Sequence, residues 1–99
     1  MTYALVFDLP GPPEQYRAAH AEFAKFPADE MVLHLARPTG DGVQVVEVWT
    51  SAEAFQEWMS VVAGSVYGAL AAAGWSMPEV RPTSFDPAGL IVRSAGIAI

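Results

Sequence analysis

The chain has 99 residues, five basic against eleven acidic for a net charge of −6, and no cysteine. That length implies one domain spanning residues 1–99, and the acidic balance argues against nucleic acid or an anionic membrane surface as a partner. The lack of cysteine excludes disulfides, thiolate nucleophiles and cysteine-based metal sites.

Hydrophobic residues make up 53% of the chain, above the roughly 45–50% usual for soluble domains. A second copy of the chain would bury the surplus, so a homodimer is expected. There is no asparagine and hence no N-glycosylation acceptor. No signal-peptide pattern opens the chain and no apolar run reaches the length of a membrane span, so a cytoplasmic location is expected.

Thr2–Asp8 reads as a first strand, apolar on both faces, stopped by Pro10–Pro13. A helix begins at Pro12 or Pro13, where proline is tolerated, and runs to about Phe26. Tyr16, Ala19, His20 and Phe23 share one of its faces. After a connector at Pro27–Glu30, Met31–Arg37 is a second strand and Val43–Trp49 a third. Between them Pro38–Gly42 is a hairpin signal.

Thr50 and Glu53 form a capping-box pattern opening a second helix from Ser51 to about Ala73. Phe55, Trp58, Met59 and Val62 make its apolar stripe. Gly64 and Gly68 predict a kink or break, and Gly74 a C-cap. Pro78 and Pro82 bracket a fourth strand, Glu79–Phe85, suited to a sheet edge. Leu90–Ile99 is apolar enough for a fifth strand.

The order is β-α-β-β-α-β plus a C-terminal strand, which is the ferredoxin-like α+β arrangement. Both helices then cover one face of an antiparallel sheet. The other face is apolar too, and packing against a partner's sheet would cover it.

The hairpin sets a register. A loop of two or four residues places His34 opposite Glu47, Ala36 opposite Val45 and Val32 opposite Trp49 on one face. The other face pairs Leu33 with Val48 and Leu35 with Val46. A loop of odd length breaks the His34–Glu47 pair. A carboxylate beside an imidazole fixes its orientation, which is what a general base needs. His34 and Glu47 are therefore the candidate catalytic pair, with Trp49 a flat pocket wall. The competing readings are a structural ion pair at a wet sheet edge and a role at an interface.

Tyr16 and His20, one helical turn apart, can reach the same pocket, or they pack with their polar tips in water. Trp58 is a candidate ligand contact or, with Met59, plain core. Tyr67 is placed at a pocket mouth without support from its spacing. Arg81 and Arg93 either bind an anion, make dimer contacts or are solvated. Two histidines in different elements make no metal site by spacing. Phosphate-loop, Rossmann, nucleophile-elbow and zinc-protease patterns are absent.

Taken together, Tyr3–Pro10, Tyr16, His34–Gly42, Val45–Ser51, Phe55 and Gly74 resemble the dimeric α+β barrel superfamily. The nearest likeness is to small bacterial proteins allied to the antibiotic biosynthesis monooxygenase domain. It covers about residues 1–86 and leaves 87–99 as an extension. The E-x-W-x-S stretch at Glu47–Ser51 is its most specific part.

Members of that superfamily include cofactor-independent oxygenases of aromatic polyketides, polyketide cyclases, isomerases and haem-degrading enzymes. The resemblance implies a cleft between sheet and helices faced by His34, Glu47 and Trp49, with Leu33, Leu35, Val46 and Val48 at the dimer seam. It also shows departures. Val45 stands where the oxygenases can carry an asparagine, and Trp58 where many relatives have a histidine.

The function expected is acid–base chemistry, without a cofactor, on a hydrophobic aromatic or polyketide-like compound, in the manner of a cyclase or isomerase. A cofactor-independent monooxygenase and a non-catalytic binding dimer are the alternatives.

Overall fold

Strands form where β-branched and aromatic residues cluster, and they end at proline or glycine. The computed structural model describes residues 2–75 and 80–98. Its main strands are β1 (Tyr3–Pro10), β2 (Met31–Pro38), β3 (Gly42–Trp49) and β4 (Thr83–Phe85). They make one sheet in the order β2-β3-β1-β4, antiparallel throughout. Helices α1 (Pro13–Phe23) and α2 (Ala52–Ala72) pack on one face. This is the ferredoxin-like architecture expected from the element order.

The hairpin between β2 and β3 turns through Gly40 and Asp41, with the Thr39 N–H donating to the Gly42 carbonyl at 2.8 Å. His34 lies opposite Glu47 and Ala36 opposite Val45, as the even-numbered loop requires. Gly42 also sits opposite Pro10 of β1. A Cβ there would stand 2.0 Å from the Leu9 carbonyl oxygen, so only glycine lets β1 approach the hairpin.

The register breaks beyond Leu33. Leu33 still faces Val48, but Met31, not Val32, is opposite Trp49. Val32 is the extra residue of a β-bulge, a device that re-aims side chains near sites. Here it brings Met31 to the helix side, where it lines the cavity described below.

Other boundaries also shift. Helix α1 stops at Phe23, and tight turns, Lys25 N–H to Glu22 and Phe26 N–H to Phe23, carry the chain on to Phe26. Ser51, not Thr50, caps α2, its Oγ accepting from the Ala54 N–H at 3.1 Å. Thr50 lies one residue too early, and its hydroxyl donates to the Glu30 carboxylate instead.

Helix α2 runs unbroken through Gly64 and Gly68. Val62, Val66 and Leu70, all buried on its inner face, hold it against a glycine cost of about 1 kcal/mol each. At its end Gly74 takes φ +88°, the Trp75 N–H reaches the Leu70 carbonyl and the Gly74 N–H reaches Ala71. These two bonds are the Schellman pattern.

Strand β4 is an edge strand, shorter than Glu79–Phe85; Pro78 and Glu79 lie outside the described residues. The tail does not extend the sheet. It folds on itself, with β5 (Ile91–Val92) and β6 (Ile97–Ala98) joined by a 3-10 turn at Arg93–Ala95 and paired to each other. A glycine at position 96 breaks the apolar run that reads as one strand.

Packing follows strand parity. Leu5, Phe7, Val45, Glu47 and Trp49 face the helices together with His34. Ala19 of α1 packs with Val66 and Leu70 of α2 in a buried cluster. The far face carries Val6, Leu33, Leu35, Val46 and Phe85, with Leu35 58% and Phe85 41% exposed. No described helix is long and apolar enough to cross a membrane.

Candidate functional site

Between the sheet and the two helices lies a cavity of about 550 Å³, within the roughly 300–1,000 Å³ typical of ligand pockets. Phe7 and Leu9 of β1, Met31 of β2 and Val45 of β3 form its floor, and Phe23, Phe55, Trp58 and Met59 contribute apolar walls from the helices. Against this apolar lining stands one hydrogen-bonded string.

Glu47 sits at the centre of β3 and is 7% exposed. Its two carboxylate oxygens take separate donors: Trp49 Nε1 donates to Oε1 at 3.1 Å, and His34 Nδ1 meets Oε2 at 2.7 Å. The other ring nitrogen of His34, Nε2, lies 2.7 Å from the Tyr16 hydroxyl.

A carboxylate only accepts, so Nδ1 carries a proton toward Glu47, and in the neutral imidazole Nε2 then accepts from the Tyr16 O–H. Tyr16, His34, Glu47 and Trp49 thus form one continuous string, with the buried carboxylate satisfied on both oxygens. Among the described residues no buried side-chain nitrogen or oxygen lacks a partner.

Burial, and then the nearby Glu47 charge, raises the Tyr16 pKa above the ordinary phenol value. The phenol therefore stays protonated and remains a donor. The Tyr16 and His34 rings lie nearly parallel, 9° apart with centroids at 6.1 Å. His20 completes an aromatic trio, its ring 5.8 Å from Tyr16 and 5.7 Å from His34.

The structure brings together most of the residues singled out from the sequence. Tyr16, His20, His34, Glu47, Trp58 and Tyr67 all line the cavity. Tyr16 and His20 reach it from α1, one turn apart, and His20 is the more exposed. Tyr67 stands at the wall from α2, 42% exposed. Trp58 donates its Nε1–H to the Pro27 carbonyl at 3.0 Å and stacks on Phe23.

Trp49 is the exception. It is 1% exposed and lies behind the wall, enclosed by Phe55 and Trp58 at 5.6 and 5.4 Å between centroids. The α2 aromatics cover it, and its polar contact at the site is the hydrogen bond to Glu47.

Phe7 and Leu9 were not singled out, although the alternation of β1 opposite β3 would have found them. Gln56, also at the wall, has no distinguishing signal in the sequence. Among the described residues no group of three or more His, Asp or Glu could hold a metal ion.

Neither a family profile nor a curated protein sequence matches the chain. Solved structures do. A variant of SnoaB, a cofactor-independent oxygenase from Streptomyces nogalater, is 19% identical with a TM-score of 0.60, over 88% of this chain and 91% of that one. The haem degrader MhuD from Mycobacterium tuberculosis, with two haems in its active site, is 24% identical with a TM-score of 0.59, over 91% and 98%. A dimeric ferredoxin-like protein of unknown function from Thermobifida fusca is 13% identical with a TM-score of 0.60, over 86% and 90%. Other matches are provisionally assigned as antibiotic biosynthesis monooxygenases.

The fold is that of the ferredoxin-like α+β proteins. Within them the chain path resembles that of antibiotic biosynthesis monooxygenase-like structures, as the sequence resemblance implied. At these identities the likeness is one of fold.

Proposed function

We propose that the protein is a homodimeric enzyme of small-molecule metabolism that moves protons on a hydrophobic, aromatic or polyketide-like compound without a cofactor. His34 is the general base and Glu47 the residue that orients it. One observation carries this reading: an imidazole held between a buried carboxylate and a phenol, at the wall of an otherwise apolar cavity.

Among the described residues no lysine or arginine lines that cavity. Glu47 would repel an anionic ligand, which supports an uncharged one. The apolar far face of the sheet, with Leu35 and Phe85 exposed, supports pairing with a second copy, as does the dimeric Thermobifida fusca neighbour.

Oxygenase chemistry, the activity of SnoaB, is the second reading, and the fold favours it. The apolar Val45 at the cavity floor, where the resemblance leads to an asparagine, favours proton transfer instead. For haem, the ligand of MhuD, His20 is the imidazole at the cavity wall that stays available. Both ring nitrogens of His34 are engaged, and Trp58 fills the α2 position where relatives carry histidine.

A neutral bicyclic ketone, β-tetralone tritiated at its benzylic carbon, tests the reading. The protein is expected to accelerate release of tritium to water without consuming oxygen, and His34→Ala to abolish the acceleration while remaining folded by circular dichroism. Equal release by the variant would remove the base assignment. Saturable binding with no release would make the protein a binding module, and oxygen uptake would favour the oxygenase.

A further inference from the structure

We propose that Tyr16, rather than His34 itself, is the group that exchanges protons with the substrate, and that the imidazole works through the phenol. This rests on the acid–base reading above and specifies which atom the substrate meets.

The argument begins with His34. An imidazole has two nitrogens, and both are occupied: Nδ1 by Glu47 at 2.7 Å and Nε2 by the Tyr16 hydroxyl at 2.7 Å. No ring nitrogen is left for a ligand. Tyr16 differs. Its O–H is spent on Nε2, but a phenolic oxygen keeps lone pairs for a further donor, and Tyr16 lines the cavity. The phenol oxygen is thus the terminal atom of the string that can still accept a proton. Its supports are fixed in turn, since Trp49 holds the second oxygen of Glu47.

The step balances without a co-reactant. The C–H bond next to the substrate carbonyl breaks, and its proton passes to the Tyr16 oxygen as the Tyr16 proton passes to His34 Nε2. The carbon electron pair delocalises onto the carbonyl oxygen as an enolate. The imidazolium that results is paired with Glu47, and the newly formed Tyr16 O–H points back at the substrate. Reversal delivers a proton to the same carbon, which is exchange, or to a conjugated one, which is isomerisation. The raised pKa of Tyr16 agrees with this role, because the phenol relays a proton and is never left as a phenolate.

The test uses Tyr16→Phe, which keeps the ring and its packing, with tritiated β-tetralone as the probe. A relay predicts that kcat for tritium release falls about a hundredfold, the scale of one proton-transfer group, with KM little changed. It also predicts slower release by the wild-type protein in D2O than in H2O, because a solvent-exchangeable phenol proton moves in the same step. A purely structural tyrosine would not produce that isotope effect, since a base acting directly removes a proton from carbon alone.

Retained or increased kcat in Tyr16→Phe, with His34→Ala inactive, would overturn the relay and leave His34 as a direct base. A solvent isotope effect near unity in the wild type would overturn it as well. Full activity in both variants would overturn the acid–base reading itself.

Discussion

The two faces of the β2–β3 hairpin come from the same sixteen residues and differ only in strand parity. One face carries His34 and Glu47, polar groups in an apolar setting, each satisfied by a specific neighbour. The other pairs Leu33 with Val48 and Leu35 with Val46, and its polar contact, Arg37 Nε–H to Gln44 at 2.9 Å, is an exposed one. Its Leu35 is 58% exposed, whereas Glu47 opposite His34 is 7% exposed. The charged group is buried and the leucine is not. A chain organised only to hide apolar surface would show the reverse. The first face is therefore read as a site and the second as a surface for a partner copy.

The comparison can be broken most forcefully at Glu47. Glu47→Ala strands the Nε1–H of Trp49 and the Nδ1–H of His34 in a dry setting, and is expected to cost about 3 kcal/mol by urea unfolding. Glu47→Gln has one acceptor oxygen for two donors, so it should lose less stability and still lose tritium release. On the other face, Leu35→Lys should leave protomer stability within about 0.5 kcal/mol. It should raise the dimer dissociation constant about a hundredfold by sedimentation, because the ammonium must be desolvated at the seam.

Smaller effects sharpen the contrast. Trp49→Phe keeps the ring against Phe55 and Trp58 and removes one donor to Glu47, a loss of about 1 kcal/mol in the same unfolding assay. Tyr16 gives the smallest effect, through pH. Its folded pKa is raised above its unfolded value, so the folded state binds the proton more tightly. Its contribution is complete below about pH 10 and is lost as pH rises through the folded value. Wild-type stability should therefore fall more steeply than that of Tyr16→Phe above about pH 10 in alkaline unfolding curves.

How far the sequence carried this account depends on what each element obeys. The His34–Glu47 pairing was legible because hairpin parity is a local rule, and an even loop between Pro38 and Val43 leaves one outcome. The same rule failed at Val32, since a bulge is an irregularity of the backbone that alternation cannot reveal. Trp49 was placed on the correct face and assigned the wrong surroundings. Parity gives a side of the sheet, whereas whether α2 covers that side depends on the docking of Phe55 and Trp58. The Tyr16–His34 bond lay beyond reach for the same reason: helical spacing put Tyr16 and His20 on one face but did not say which nitrogen that face would meet. The glycines of α2 were overweighted because buried Val62, Val66 and Leu70 override local propensity.

The hydrogen-bonded string is the central claim, and the nitrogen resonances of His34 test it most directly. In uniformly 15N-labelled protein, with His20→Gln used to assign the two imidazoles, His34 should show a protonated Nδ1 and an unprotonated Nε2. Tyr16→Phe should shift the Nε2 resonance while leaving Nδ1 protonated. An Nε2–H tautomer in the free protein would contradict the account, because that nitrogen could then neither accept from Tyr16 nor take a proton through it.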